Sequence, residues 1–197
     1  TKEHLYKKIT TIPDMRTIKL LNRLRNRKDD TIMLAIVEEL EKEGLSVADQ
    51  TKYMRSLMPP VGVMTKRQPT EVEQLDITFG FTLAKQMGAL DIGQTVVVKE
   101  QAAMAIEAIE GTDECIKRGG ALGREGSVVV KTAKPNQDVR FDVPAVGMKT
   151  LESMIAGNCK VLAMEAKRTI FVEQEAVLQK ANELGIVICA VEGPDEE

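Results

Sequence analysis

Histidine is almost missing from this 197-residue chain, where His4 stands alone. A Ser-His-Asp or Cys-His mechanism, a zinc-hydrolase site or a histidine-rich dinuclear phosphoesterase centre would each need more imidazole than that. Catalysis is therefore left to carboxylates, Lys, Arg, hydroxyls and an oxygen-ligated metal. Aromatic side chains are nearly as scarce, with two Tyr, four Phe and no Trp, which excludes base-stacking platforms and carbohydrate-stacking grooves. Cys115, Cys159 and Cys189 are odd in number and lack CxxC spacing. A zinc knuckle and a disulfide framework both fail on that count, and a reducing compartment is expected. Neither sign of charge dominates. The net charge is −3 with acids and bases interleaved, unlike the basic surface that nucleic-acid binding requires. No apolar run approaches the ~20 residues needed to cross a bilayer, no signal peptide is visible, and no GxxxxGK[ST] supports a Walker-type nucleotide site.

What is present reads as an ordinary globular protein, 43% apolar and 29% charged, long enough for one large domain or two small ones. Residues 1 to about 57 read as helical. Asp29 and Asp30 precede an apolar stretch from Thr31, and Gly44 follows as a C-terminal stop. Ile32, Leu34, Ala35, Ile36, Val37 and Leu40 recur at nearly every turn, which predicts burial on more than one side. Upstream, Met15, Ile18, Leu21 and Leu24 form a stripe among Arg16, Lys19, Arg23 and Arg25. A membrane-surface helix has this pattern, but a surface helix with its stripe on the core fits it better.

Pro59-Pro-Val-Gly62 and Thr65-Lys-Arg-Gln-Pro69 mark a linker. Thr70-x-x-Glu73 is a capping box for a helix running to about Met87 and stopping at Gly88. Thr95 to Lys99 and Ala102 to Ile106 predict a hairpin, and further strands are expected at 127–131, 160–164, 169–172 and 186–191. Helices are expected between them at 112–122, 149–156 and 173–184. The alternation predicts an α/β fold, a mixed sheet with flanking helices.

Three segments carry more charge than scaffolding needs. Lys131 to Pro144 follows an apolar strand, is punctuated by two prolines, and concentrates Lys134, Gln137, Asp138, Arg140 and Asp142. Cleaving a diphosphate requires cations on the phosphate oxygens and a water placed in line, and Mg²⁺ often needs only one or two carboxylates besides phosphate. Taken alone, the segment reads slightly better as a polar strand end with a surface Arg–Asp pair. Glu107 to Glu114 ends a strand at Gly111 and opens a helix with Thr112 and Asp113. Free N–H groups there suit a phosphate oxygen, although simple capping by Thr112 explains the spacing better. Glu165-Ala-Lys-Arg168-Thr169 reads best as a charged hairpin turn. Glu183-Leu-Gly-Ile186 has the form of a Nudix tail, but Leu178, Gln179 and Asn182 stand where Arg and two Glu are required.

Taken in order, Leu90-Asp-Ile-Gly-Gln-Thr-Val-Val-Val98, Glu107-Ala-Ile-Glu-Gly-Thr-Asp113, Lys134-Pro-Asn-Gln-Asp-Val-Arg-Phe-Asp-Val-Pro-Ala-Val-Gly147 and Glu165-Ala-Lys-Arg-Thr169 resemble the histidine-poor UDP-2,3-diacylglucosamine pyrophosphatase family of lipid A biosynthesis. The resemblance spans essentially the whole chain and is most specific from Leu90 to Thr169. It implies hydrolysis of UDP-2,3-diacylglucosamine to UMP and 2,3-diacylglucosamine 1-phosphate, dependent on a divalent metal such as Mg²⁺. It also implies a cytoplasmic homodimer of two-domain chains, the lipid product held between the domains, with peripheral contact at the inner membrane and no nucleic-acid partner. On this resemblance Asp142 is catalytic. Thr112, Lys134, Gln137 and Arg140 are assigned to substrate, and Asp142 and Asp113 to the metal. The family begins with a glycine-rich strand and helix not found ahead of Thr1. Residues 1–60 are therefore expected to be the helical second half of an N-terminal domain, 61–70 a linker, and 71–197 the catalytic α/β domain. The rival reading is a module that binds a lipid sugar phosphate without cleaving it.

Overall fold

The computed structural model of the protein describes residues 14–24 and 29–193, with Asp29 and Asp30 as backbone only. His4, Arg25, the helical reading of residues 1–13 and 25–28, and capping by the side chains of Asp29 and Asp30 lie outside what is described. The described chain divides into two units. One holds the residues up to Lys52 together with Asp138–Asp142; the other holds Tyr53–Gln137 and Val143 onward.

The first unit is helical. Helix α1 (Met15–Arg23) starts at Asp14, whose carboxylate accepts the Thr17 N–H at 2.7 Å, satisfying one of the free donors of the first turn. Helix α2 (Asp29–Glu41) ends in a turn at Gly44, whose φ of +79° suits a residue without Cβ. The expected apolar burial is not found. No residue of α1 is buried, and Met15 is 70% exposed. On α2 only Val37 is fully buried, while Leu34 and Ile36 are 40% and 38% exposed. Ion pairs tie α1 to α2 and the turn after it instead, from Arg16 to Glu39 at 3.4 Å and to Glu43 at 2.6 Å. Helix α3 (Thr51–Met54) passes through a 3₁₀ turn (Arg55–Leu57) into the second unit's chain.

The second unit is an α/β sandwich. Its strands are β1 (Gly62–Val63), β2 (Thr95–Lys99), β3 (Ala102–Ile106), β4 (Ser127–Lys131), β5 (Ala145–Val146), β6 (Cys159–Glu165), β7 (Ile170–Phe171) and β8 (Val187–Val191). Six make one sheet in the order β1-β8-β6-β4-β2-β3. Strands β4, β6 and β8 are parallel, β1 and β2 run antiparallel to their neighbours, and β5 and β7 form a separate parallel pair. The sheet is therefore mixed, as the sequence predicts. Strand β1 lies inside the stretch read as a linker: Gly62 pairs with Ala190 and Val63 with Cys189. Strand β7 does not pair with β6, so Glu165 to Thr169 is a crossover between sheets rather than a hairpin turn.

Alternating strand residues fill two cores, because successive side chains point to opposite faces. Val96, Val98, Val128, Val130, Val161 and Ala163 meet Ile77, Phe81 and Ala84 of helix α4 (Glu71–Ala89). On the other face Val97, Val129, Leu162 and Ile188 meet α5 (Thr112–Gly123), α6 (Met148–Ala156) and α7 (Gln174–Glu183). Both hydrogen bonds of the Thr70–Glu73 capping box are made. The helix they open does not stop at Gly88 as predicted but runs to Ala89. Helices α5 and α6 touch where a Cβ on Gly120 would fall 2.0 Å from the Gly157 carbonyl oxygen. Cys115, Cys159 and Cys189 are free and buried. Among the described residues no helix is long and apolar enough to cross a membrane.

Candidate active site

Because β4, β6 and β8 are parallel, their last residues, Lys131, Glu165 and Val191, leave the sheet at one edge. Thr95, the first residue of antiparallel β2, pairs with Lys131 and opens at the same edge. Open α/β sheets bind ligands outside this edge.

Lys131 is 7% exposed. Its Nζ donates to Thr112 Oγ1 at 3.2 Å and to the Ala145 carbonyl at 3.0 Å. Thr112 Oγ1 in turn donates to Glu107 Oε1 at 3.1 Å. The N-cap of α5 is Gly111 (φ +81°), so Thr112 is the first helical residue and does not cap the helix as expected. Asp113 Oδ2 pairs with Lys149 Nζ at 2.7 Å, and Ser153 Oγ donates to Asp113 Oδ1 at 3.3 Å. The Asp113 carboxylate holds the Lys149 ammonium above the usual lysine range. Thr112, Asp113, Lys131, Gly147, Lys149 and Glu173 help line a cavity of about 370 Å³. Helices α5 and α6 both begin at its wall behind glycine N-caps that supply no side-chain acceptor. Unsatisfied first-turn N–H groups, an ammonium and a hydroxyl together suit an oxyanion such as phosphate.

The next turn of chain holds Lys134 and Gln137, which the structure brings together. The Lys134 N–H donates to Gln137 Oε1 at 2.9 Å, and the Gln137 N–H donates to the Lys134 carbonyl at 3.2 Å. Lys134 Nζ pairs with Asp91 Oδ1 at 2.7 Å. This turn lies directly on α4. A Cβ on Gly88 would fall 3.3 Å from Lys134 Cα and 3.5 Å from Pro135 Cδ, so this helical glycine serves close approach.

Arg140 and Asp142 belong to the short stretch of the other unit. There the Asp142 N–H donates to the Asp138 carbonyl at 3.0 Å, closing a tight turn. Arg140 grips Asp138 through Nε and Nη2 at 2.7–3.1 Å, and its Nη1 reaches Glu41 Oε1 at 3.0 Å. These contacts hold the Asp138 carboxyl below the ordinary carboxylate range. Asp142 is half-buried rather than sealed in an apolar interior.

Among the described residues no three His, Cys, Asp or Glu side chains gather as a metal cage, and Asp113 already holds an ammonium. The donors thus suit a hard cation carried in on phosphate oxygens with one or two carboxylates, and do not suit one held by protein alone. Lys131 and Glu165 open segments that the sequence marks for their charge, but sequence reasoning assigns neither residue a role at the candidate site. The signal was a charged residue ending an otherwise apolar strand, in Ser127 to Lys131 and Cys159 to Glu165.

Residues 1–57 match the family description "LpxI N-terminal domain", and residues 60–189 match "LpxI C-terminal domain". The UDP-2,3-diacylglucosamine pyrophosphatase LpxI of Caulobacter vibrioides is 32% identical over 192 aligned residues, covering 92% of this chain and 69% of that protein. With both domain matches in order and a relative aligned over 92% of its residues, this chain belongs to the LpxI family.

Proposed function

We propose that the chain hydrolyses the pyrophosphate bond of UDP-2,3-diacylglucosamine, giving UMP and 2,3-diacylglucosamine 1-phosphate for lipid A biosynthesis. The observation that carries this reading is its 32% identity to a relative named for that activity. The cavity beside Lys131, Thr112 and the starts of α5 and α6 supports it, being chemically matched to a phosphate. Water adds to one phosphorus, one P–O bond of the anhydride breaks, and both products leave as phosphate monoesters with a proton released.

In this reading Asp142 binds the metal or takes the proton from the attacking water. Lys134, Gln137 and Thr112 contact phosphate oxygens. Arg140 does so only by giving up Glu41, because Asp138 holds its other edge. A divalent cation, Mg²⁺ by its preference for oxygen donors, would neutralise charge on the diphosphate; Asp142 in one unit and Asp113 in the other are each a candidate carboxylate for it. The same reading makes the chain a cytoplasmic homodimer that touches the inner-membrane surface where a diacyl substrate resides.

The test is UMP release from UDP-2,3-diacylglucosamine with Mg²⁺ and with EDTA. Wild-type protein should release UMP with Mg²⁺ and stop in EDTA. Asp142→Asn should lose at least ~100-fold in kcat while unfolding at the wild-type temperature. A folded, fully active Asp142→Asn refutes the catalytic assignment. Substrate binding without UMP release in either condition leaves the non-catalytic binding module instead.

A further inference from the structure

The clearest piece of construction left without a role is the set of charges around Ala133. Glu165 ends β6 and is 7% exposed. Its Oε2 accepts the Ala133 N–H at 2.7 Å and the Lys85 ammonium at 3.2 Å, while its Oε1 accepts Lys85 at 3.1 Å and Arg168 Nη1 at 3.4 Å. Lys85, from α4, also donates to the Ala133 carbonyl at 3.1 Å. Arg168 Nη2 donates to the next carbonyl, that of Lys134, at 3.3 Å.

Both backbone groups of Ala133 and the carbonyl of Lys134 are therefore held by three side chains drawn from α4, β6 and the crossover that follows it. Ladder pairing of β4 with its neighbours ends at Lys131, and the Thr132 N–H still reaches the Gln94 carbonyl. From Ala133 onward the chain has left the sheet, and side chains do what the ladder did before. A buried ion pair is a costly way to satisfy two peptide groups, since both charges must be desolvated. Its geometric return is a main chain fixed just ahead of Lys134 and Gln137.

We propose that Lys85, Glu165 and Arg168 form a clamp that positions the Lys134–Gln137 turn against the substrate. They are positioning residues, not catalytic ones, and the assignment of Lys134 and Gln137 to phosphate rests on the function proposed above. The clamp accounts for Glu165 and Arg168 standing together in one motif, and it recruits Lys85, which no motif marks.

Replacing both members of the buried pair breaks the clamp and strands no buried charge, since Arg168, which loses Glu165, is 41% exposed. Lys85→Met/Glu165→Met should fold but melt below the wild-type temperature, because apolar side chains of similar volume replace the ion pair at little cost while the Ala133 N–H and carbonyl lose their partners. Its kcat for UMP release should fall about tenfold to a hundredfold, the scale of an ångström of misplacement, with a smaller change in KM. Lys85→Arg, which keeps the cation and its donors, should recover most of that kcat. Hydrogen exchange at Ala133 and Lys134 should accelerate in the double variant while β4 and β6 remain protected.

A folded double variant with wild-type kcat overturns the proposal, even if exchange rises, because the charges are then a structural tie only. Unchanged exchange at Ala133 overturns it as well. If the wild-type protein releases no UMP, the function reading fails and takes the positioning role with it, and raised exchange at Ala133 then marks a structural tie only.

Discussion

Arg140 illustrates how one side chain fixes another's chemistry. Its guanidinium lies across both oxygens of Asp138, and the Arg140 N–H adds a further bond at 3.0 Å. The side-chain hydrogen bond is the leading reason the Asp138 carboxyl titrates below its usual 3.8. A carboxyl depressed in the folded state stabilises the fold at pH above its unfolded value. That contribution is lost as pH falls through the lower, folded value. Carbonyl NMR shifts should therefore show Asp138 still ionised where free aspartate is half protonated, and Arg140→Ala should return its midpoint toward 3.8. An unshifted midpoint in the wild-type protein would mean the grip does not persist in solution. The sequence revealed that 131–144 is loaded with charge. It did not reveal that Lys134 is held by Asp91 and Arg140 by Glu41, because those partners lie far away along the chain.

Elements were legible where their period is long and illegible where pairing is remote. Valine runs such as Val96 to Val98 and Val128 to Val130 announce strands, and each is completely buried. Two-residue strands such as β1 and β5 leave no alternation to read, since their partners are β8 and β7. Helix α4 misleads in two ways. Gly88 resembles a stop but serves contact with the 134–135 turn, and Asp76 resembles a surface acid but is 2% exposed. Asp76 in fact accepts the N–H groups of Glu100 at 3.0 Å and Gln101 at 2.6 Å, where the β2–β3 hairpin turns. Both turn residues have positive φ, 51° and 56°, which Asn and Gly adopt far more readily. Glu100→Asn/Gln101→Gly should raise stability by about 1 kcal/mol in urea unfolding. Asp76→Ala should cost about 1–3 kcal/mol by leaving two N–H groups unmet. Equal midpoints for wild type and the Asn-Gly variant would show that the left-handed turn carries no strain.

On the scale of the whole molecule, the sheet unit has its own two cores and includes β1, so it should fold without the residues before Tyr53. Its thiols offer a direct readout. Burial pushes Cys115, Cys159 and Cys189 up to about 12, leaving no thiolate at neutral pH. A chain starting at Tyr53 should react with a thiol reagent no faster than the intact protein, and should expose all its cysteines in one denaturant transition. Reaction at the unfolded rate without denaturant would show that this unit needs the first one. The parallel run of β4, β6 and β8 has a last effect on how the molecule can change. The segments that follow Lys131 and Glu165 leave from one rim, while the turns at Arg124 and Gly185 close the opposite rim. Surface loops with few partners tolerate insertion. The far rim is thus where a reporter peptide or a drifting lineage can add residues without disturbing the candidate site.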